Sequence, residues 1–535
     1  MEEPVTGEFI AALPGYPSYF HDESRLSGQA DYIVFPEDTA QAAAAIRRAA
    51  GEGLPLTIQG ARTGIAGGAV PQGGLILSTE RMNRPLDFSA GDIPALRVQA
   101  GMSFDALGSF LNRSLSKEGG NAEEGAAFRE LARNLRFPPN PTETSATLGG
   151  AFSCNARGPN SLRWGAAGDH VQALTWITPQ GEIWNIDRGR YCFDEAGCPL
   201  PGGGRLSCDT ALPAGGSRFL HPYPGLDLLD FFAGSEGLAG FAAELTLSLR
   251  ALPASSWGVV YFFEQEQPAL DFAESLREWR KRTPGGEALS TLEYYDRPSL
   301  ELARNMAPQN AALRRLPPLD PRAGAAVQVE LEGDDADALE SLLTEQLALF
   351  LAAGGREDDT WAAASPAELE KFRILRHAVP ELINTELDRI RRELPELYKT
   401  AADYTVPPEL TAVYHKTYRR DMEEAGLRGF IFGHFAEGRL HVNLLPENRE
   451  ELRRSRTLLD RWAALAVQDG GLLAAENGIG RLKRDLLARH LLPERLEQIR
   501  AILRVLDPFG VLNPLGSLTP KGLIPGVPDL GLRED

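Results

Sequence analysis

The sequence predicts an α+β protein of two or three domains, and three observations predict it. The chain has 535 residues, more than one hydrophobic core holds. Its 43% apolar and 24% charged content is that of an ordinary globular protein, so packed structure rather than disorder is expected. Strand-like runs and amphipathic helical stretches are mixed up to about residue 446, after which the pattern turns helical. Domains are accordingly placed at 1–252, 253–446 and 447–535.

In chain order, "PEDTAQAAAAIRRAAGEGLPLTIQG" reads as a cap at Asp38 or Thr39, an Ala-rich helix, a stop at Gly51 or Gly53 and a strand at 56–59. "GGLILST", "ALRVQAG", "ALTWITPQGEIWNI" and "GFAAELTLSLRAL" are further strand candidates, the third folded back at Pro179-Gln180-Gly181. The stretch Tyr191 to Gly216 has no periodicity and reads as a loop or insertion. "WGVVYFFEQ" and "GAAVQVELEG" then open a second α+β block, and "LLAAE" before Asn477 reads as a late strand. The last helices run through "REELRRSRTLLDRWAALAVQDGG" and "PERLEQIRAILRVLDPFG", the second stopped at Pro508.

The net charge of −19 argues against a general nucleic-acid binder, which needs clustered Lys and Arg. Four cysteines in so long a chain make no disulfide framework, and Cys192, Cys198 and Cys208 lack a paired C-x-x-C spacing, so free thiols in a reducing cytoplasm are expected. "MEEPVTGEF" lacks the basic and apolar regions of a signal peptide, and no window of 18 uninterrupted apolar residues is present. Docking to the inner face of a membrane stays open.

Three glycine-rich stretches carry the functional reading. "QGARTGIAGGAVPQGG" follows a strand and can turn successive N–H groups toward an anion, but it is not G-x-G-x-x-G and leads into no clear helix. "PPNPTETSATLGGAFSCNARGPNS" and "GSEGLAGFAAELTL" repeat the pattern, so a large phosphate-bearing ligand is expected. In "GHFAEGRLHVN", a two-residue turn at Glu437-Gly438 would set His434 opposite His441, with Asn443 on the same face, a suitable bite for one divalent metal.

The order of these loops resembles the FAD-binding domain of the vanillyl-alcohol oxidase and p-cresol methylhydroxylase (PCMH) superfamily. The C-terminal half is similar to the FAD-linked D-2-hydroxyacid dehydrogenases, which include D-lactate dehydrogenase and the glycolate oxidase flavoprotein subunit. The resemblance covers about residues 30 to 516. It implies a PCMH-type domain of two α/β subdomains, an α+β substrate (cap) domain and a C-terminal helical segment returning to the flavin. For FAD it implies Gly60, Ala61, Arg62, Thr63, Gly64 and Gly67 at the pyrophosphate. Pro141, Thr142, Ser145, Thr147, Gly149, Gly150, Asn155 and Gly158 would line the flavin and adenosine portions. Gly234, Ser235, Glu236, Gly237 and Gly240 would form the third loop, with Leu238 in place of a threonine, and Asn513 would close the site.

At the substrate end the family's G-H-x-G-D-G-N-L-H stands as Gly433 to His441, and its E-H-G-I-G as Glu476 to Gly480. By resemblance His434, His441 and Glu476 hold zinc or manganese, and Arg376 and Lys399 clamp a carboxylate. The family's base, a histidine after the glutamate, is here Asn477, whose amide accepts no proton near neutral pH. The implied reaction is oxidation of a small D-2-hydroxy acid, with hydride passing to flavin N5. Electrons would go on to a quinone, cytochrome or electron-transfer protein rather than to NAD. A homo-oligomer or a partner-subunit arrangement is expected. Two other readings stay open: a metal-independent FAD alcohol oxidase or dehydrogenase of the same fold, and a non-catalytic FAD-binding subunit. His170 and His377 read as structural.

Overall fold

The computed structural model describes residues 8–11, 15–113, 134–207, 219, 222–474 and 476–513. Cys208 and Pro514 onward lie outside them. The first helix, Thr39–Glu52, starts where the Asp38 carboxylate accepts from Gln41 N and ends at Gly53 with φ 64°. Its alanine face lies in the core beside Leu56, Leu75 and Val98. Strands Tyr32–Val34 and Leu56–Gln59 flank Leu75–Ser78 in parallel, so the glycine-rich segment from Gly60 crosses between two parallel strands.

A five-stranded antiparallel sheet follows, built on Phe241–Ser248 between Ala95–Gln99 and Val171–Ile177. The Pro-Gln-Gly turn joins Val171–Ile177 to Ile183–Asp187 as read from sequence. Among its described residues the loop-like stretch from Tyr191 carries a two-stranded ribbon, Cys198–Pro199 with Arg205–Leu206, and Cys192 and Cys198 are free thiols.

Seven antiparallel strands form the largest sheet, in the order Thr360–Ala363, Ser255–Phe263, Ala325–Gly333, Leu289–Tyr295, Gly429–His434, Arg439–Leu444 and Thr400–Ala402. The histidine hairpin sits next to its last edge, with Arg439–Leu444 between Gly429–His434 and Thr400–Ala402. A buried latch fixes this sheet to the amino-terminal half. Glu332 takes both Nη atoms of Arg136, at 2.8 and 2.6 Å, and Trp164 Nε1 at 3.0 Å.

Two expectations are corrected. The hairpin turn is not Glu437-Gly438 alone: His434 pairs with Arg439, and Phe432 faces His441. Buried Phe435 and Ala436 draw the loop inward as a 3-10 turn, and Gly438 closes it at φ 67°. There a Cβ would lie 2.0 Å from Val406 O. Because the slip is two residues, the face is preserved and both imidazoles still project together. "LLAAE" is not a strand. Leu472 alone bridges Thr405, whose N–H and carbonyl it takes at 2.9 and 3.1 Å, and the glycines at 470 and 471 precede an irregular path. The closing helices are Arg449–Gln468, Arg484–His490 and Pro493–Leu506.

Candidate active site

His434 ends its strand, and His441 stands two positions into the next. The hairpin brings their rings to a centroid distance of 5.5 Å. Both Nε2 atoms turn toward one oxygen of Glu476, at 3.3 Å from His434 and 3.7 Å from His441. One donor atom from each of the three lies within 4.8 Å of the others, the only such cluster among the described residues. Both Nδ1 atoms turn away to carboxylates. His434 pairs with Glu293 at 2.5 Å, and His441 with Asp403 at 3.1 Å. A carboxylate on Nδ1 holds the proton there and leaves the Nε2 lone pair free, the arrangement in which imidazole ligates a metal.

Each carboxylate is itself held. Arg376 Nε lies 2.8 Å from Glu293, and both side chains are buried. Asp403 accepts from His441, from Asn477 Nδ2 at 3.0 Å and from Lys483 Nζ at 2.8 Å. Burial would raise Asp403, yet Lys483 and His441 hold it well below the usual carboxylate range. Burial opposes ionisation of Glu476 as well, and His434, His441 and Arg439 drive it below that range. Burial would lower His434, but Glu293 and Glu476 outweigh it and raise the imidazole to about 9.

The fit to a divalent ion rests on atoms, not on the motif. His434 Nε2 and Glu476 Oε2 are buried without a hydrogen-bond partner among the described residues. Two imidazole Nε2 atoms and a carboxylate oxygen face one point, a donor set for zinc or manganese once an incoming ion displaces the second proton that Glu293 and Glu476 favour on His434. One group works against it: Arg439 Nη1, also buried and unbonded, lies 3.6 Å from the same Glu476 oxygen. Arg439 is held there by Glu437 at 2.6 Å and by Ser161 Oγ at 2.9 Å.

The other expected residues fall into place unevenly. Arg376 serves Glu293 through Nε, and no hydrogen bond of its Nη atoms is found among the described residues. Lys399 donates to Asn384 at 2.9 Å, and burial lowers its pKa against the pull of Asp403. Strand alternation puts Lys399, Ala401 and Asp403 on the face of Asn443 and His441. Asn443 is buried there without a hydrogen bond to the triad. Glu293 and Lys483 escaped the sequence reading. The signal for Glu293 was a lone acid in the apolar run "TLEYY".

The three glycine-rich loops converge. Gly60 abuts Thr147, where a Cβ would lie 2.3 Å from Oγ1, and Gly149 packs on Ala100 in the same way at 2.6 Å. Thr147 caps a helix, Leu148–Cys154, by accepting from Gly150 N, and Asn155 ends it at φ 49°. Ala61, Thr63 and Gly64 remain at least partly open, as do Pro141, Thr142 and Ser145, while Gly158 lies against Asn140. The third loop rests on that helix through Gly234 N to Phe152 O and Glu236 N to Ser153 O, at 3.0 and 2.8 Å, and Gly237 and Gly240 turn it at φ 72° and 152°. Asn513 returns to Gly68 O at 3.1 Å. Arg62, expected at the pyrophosphate, lays its guanidinium over Tyr19 at 4.3 Å. Ser235 Oγ and Asn513 Oδ1 are buried with no partner among the described residues. Such polar atoms within small-residue loops suit a polar cofactor such as FAD.

Comparison with known proteins gives the family. The family described as the FAD binding domain matches residues 30–124 and 122–187, and the family described as FAD linked oxidases, C-terminal domain, matches 268–515. A D-lactate dehydrogenase of Anaerostipes hadrus is 26% identical over 505 residues, 93% of this chain and 91% of that protein. A D-2-hydroxyglutarate dehydrogenase of Xanthomonas citri pv. viticola is 25% identical, covering 90% and 88%. The solved structure of 4-ethylphenol oxidase from Gulosibacter chungangensis superposes with a TM-score of 0.64 at 16% identity, over 96% of this chain and 95% of that one, which shows the PCMH-type fold.

Proposed function

The chain belongs to the FAD-linked oxidases, and from that premise we propose that it oxidises a D-2-hydroxy acid of the lactate or glycolate kind to the 2-oxo acid. It is an FAD-linked oxidoreductase of the D-lactate, glycolate and D-2-hydroxyglutarate dehydrogenase type. The observation that carries the finer reading is the convergence of His434, His441 and Glu476 with both Nδ1 atoms held by carboxylates. FAD supplies the two-electron acceptor, and a divalent ion held by the triad supplies Lewis acidity at the substrate hydroxyl.

The chain's own residues do the rest. Glu293 and Asp403 fix the imidazole tautomers. Arg376, through its Nη atoms, and Lys399 meet the substrate carboxylate, the guanidinium by two bonds and the ammonium as a point charge. Asn477 takes no proton; its amide N–H orients Asp403. The electrons are proposed to leave to a quinone, cytochrome or electron-transfer protein, in keeping with a first glycine loop that does not have the dinucleotide pattern. No helix among the described residues is long and apolar enough to cross a membrane.

Arg439 favours a second reading, in which its guanidinium stands in for the metal and the alcohol is oxidised without one. Anaerobic bleaching of the flavin by a panel of D- and L-2-hydroxy acids, with chelator and with added zinc or manganese, tests both. Bleaching by D-isomers that chelation abolishes supports the first reading, and bleaching indifferent to chelation supports the second. A flavin that no 2-hydroxy acid reduces refutes both.

A further inference from the structure

The segment that carries Glu476 is bound to the flavin-side loops by contacts the catalytic reading does not use. Glu236, in the third glycine-rich loop, sends its carboxylate into the turn after Glu476. Its two oxygens accept from Ile479 N at 2.7 Å and Gly480 N at 2.8 Å. Gly478 and Gly480 have φ of 71° and 50°, which lets consecutive N–H groups point at one anion. A side chain at Gly478 would press the Glu236 carboxylate aside, and none fits at Gly480. A Cβ on Gly478 would lie 2.9 Å from the Glu236 carboxylate, and one on Gly480 2.2 Å from Ala66 O in the first loop. Ala66 O also accepts from Arg481 N and Leu482 N, at 2.8 and 3.2 Å. Glu236 itself sits at φ 52°, a conformation costly for a residue with a side chain, so the fold holds it against local preference.

We propose that Glu236 is the positioning residue through which the flavin-side loops set the ligand Glu476, so that flavin occupancy and metal occupancy of the triad are thermodynamically linked. The proposal rests on the flavin and metal reading above and adds the coupling between them. The turn 478–480 follows Glu476 closely in the chain, and the N–H groups of Ile479 and Gly480 are spent on Glu236. When flavin orders the first and third loops, Ala66 and Glu236 hold that turn, and the Glu476 carboxylate needs less ordering to meet the imidazoles. Linkage is reciprocal, so metal in the triad must tighten flavin by the same factor.

The test uses the FAD-loaded full chain and reads binding rather than turnover. Cobalt or zinc is titrated by calorimetry, and FAD release is followed by its fluorescence with metal saturating or chelated. In the wild type, metal is expected to slow FAD release at least tenfold. Glu236→Gln keeps the shape but offers one acceptor and an N–H where two acceptors are needed. It is expected to weaken metal at least tenfold and to erase the metal effect on FAD release, read as the ratio of the rates with metal chelated and saturating. Gly478→Ala attacks the same turn from the other side and decides the matter if Glu236→Gln does not fold. Flavin release indifferent to metal in the wild type overturns the proposal, as does unchanged metal affinity in folded variants. Because neither readout needs substrate, a protein that shows the linkage but is reduced by no 2-hydroxy acid would sink the proposed reaction and leave the coupling standing.

Discussion

Glu293→Gln probes the heart of the site with the smallest change in shape. Glu293 is fully buried between Arg376 Nε at 2.8 Å and His434 Nδ1 at 2.5 Å. Burial resists its ionisation, but His434 and Arg376 hold it down to about 2, so it carries its charge at any working pH. Unit charges about 4 Å apart are worth roughly 4 kcal/mol at an effective dielectric near 20. Removing one partner of a buried pair costs about 3–5 kcal/mol, because the other charge is left uncompensated. The two figures agree, and no discount for solvent is due since neither group is exposed. The amide also ceases to favour the Nδ1–H tautomer of His434, and loss of such a support lowers metal affinity about 10–100-fold. Calorimetric metal titration and a urea-denaturation midpoint on the FAD-loaded chain measure the two effects. The exposed pair Arg449–Glu396 gives the control, and Glu396→Gln is expected to leave both readings unchanged. A Glu293→Gln protein with wild-type midpoint and wild-type metal affinity would refute the chain of support from Arg376 to His434.

Other substitutions separate the remaining roles. Arg439→Asn removes the guanidinium 3.6 Å from Glu476, and calorimetry should show metal affinity rising at least tenfold; a fall would mean that Arg439 helps to build the metal site. Asn477→His keeps a donor for Asp403 and restores a base, so stopped-flow flavin reduction by the preferred substrate should quicken by about 10²-fold or more. An unchanged rate would place the proton acceptor elsewhere. His415 is buried with both ring nitrogens unbonded, and its neighbour Glu266 is already taken by Arg419 at 3.2 Å. Burial and Arg419 lower it to about 3, so the unfolded chain binds its proton first. Its stability contribution is therefore full above about pH 6.5 and is lost as pH falls toward 3, at about 1.4 kcal/mol per unit. Denaturation midpoints of His415→Leu should fall less steeply than the wild type over that window, and parallel curves would exclude His415 as the acid-sensitive group.

The parts of this site visible in sequence are those in which local chemistry and tertiary position coincide. The histidine pair was legible because strand alternation survives a two-residue error: His441 faces Phe432 rather than His434, yet stays on the same side. The loop length was not, since what decides it is burial of Phe435 and Ala436 against neighbours distant in sequence. "LLAAE" has the composition of a strand, but a strand needs a partner edge, and only Thr405 offers one to Leu472. Glu293 and Lys483 were missed for a related reason. Each lies far along the chain from the group it serves, 141 residues for Glu293 and His434, and 80 for Lys483 and Asp403.

The substituted motif positions make physical sense together rather than singly. An imidazole at 477 would titrate beside Asp403; the amide instead donates one fixed hydrogen bond to it, while Lys483 supplies the charge. At the other end of the triad Arg439 brings a cation toward Glu476, with Glu437 paired to it at 2.6 Å and Ser161 joining both. Glu437 and Arg439 thus arrive as a compensated pair, tied to the flavin-side half through Ser161. Arg157, from the second glycine-rich loop, lies 3.5 Å from Glu437, so that loop also reaches the hairpin. These changes do not dismantle the triad, whose imidazoles keep their carboxylate supports. Arg439 sets a guanidinium beside Glu476, and Asn477 gives Asp403 a partner that does not titrate. A decayed site would be expected to lose buried supports first, since each isolated buried charge is costly. Glu293, Arg376, Asp403 and Lys483 all remain paired, which argues for a site still under use.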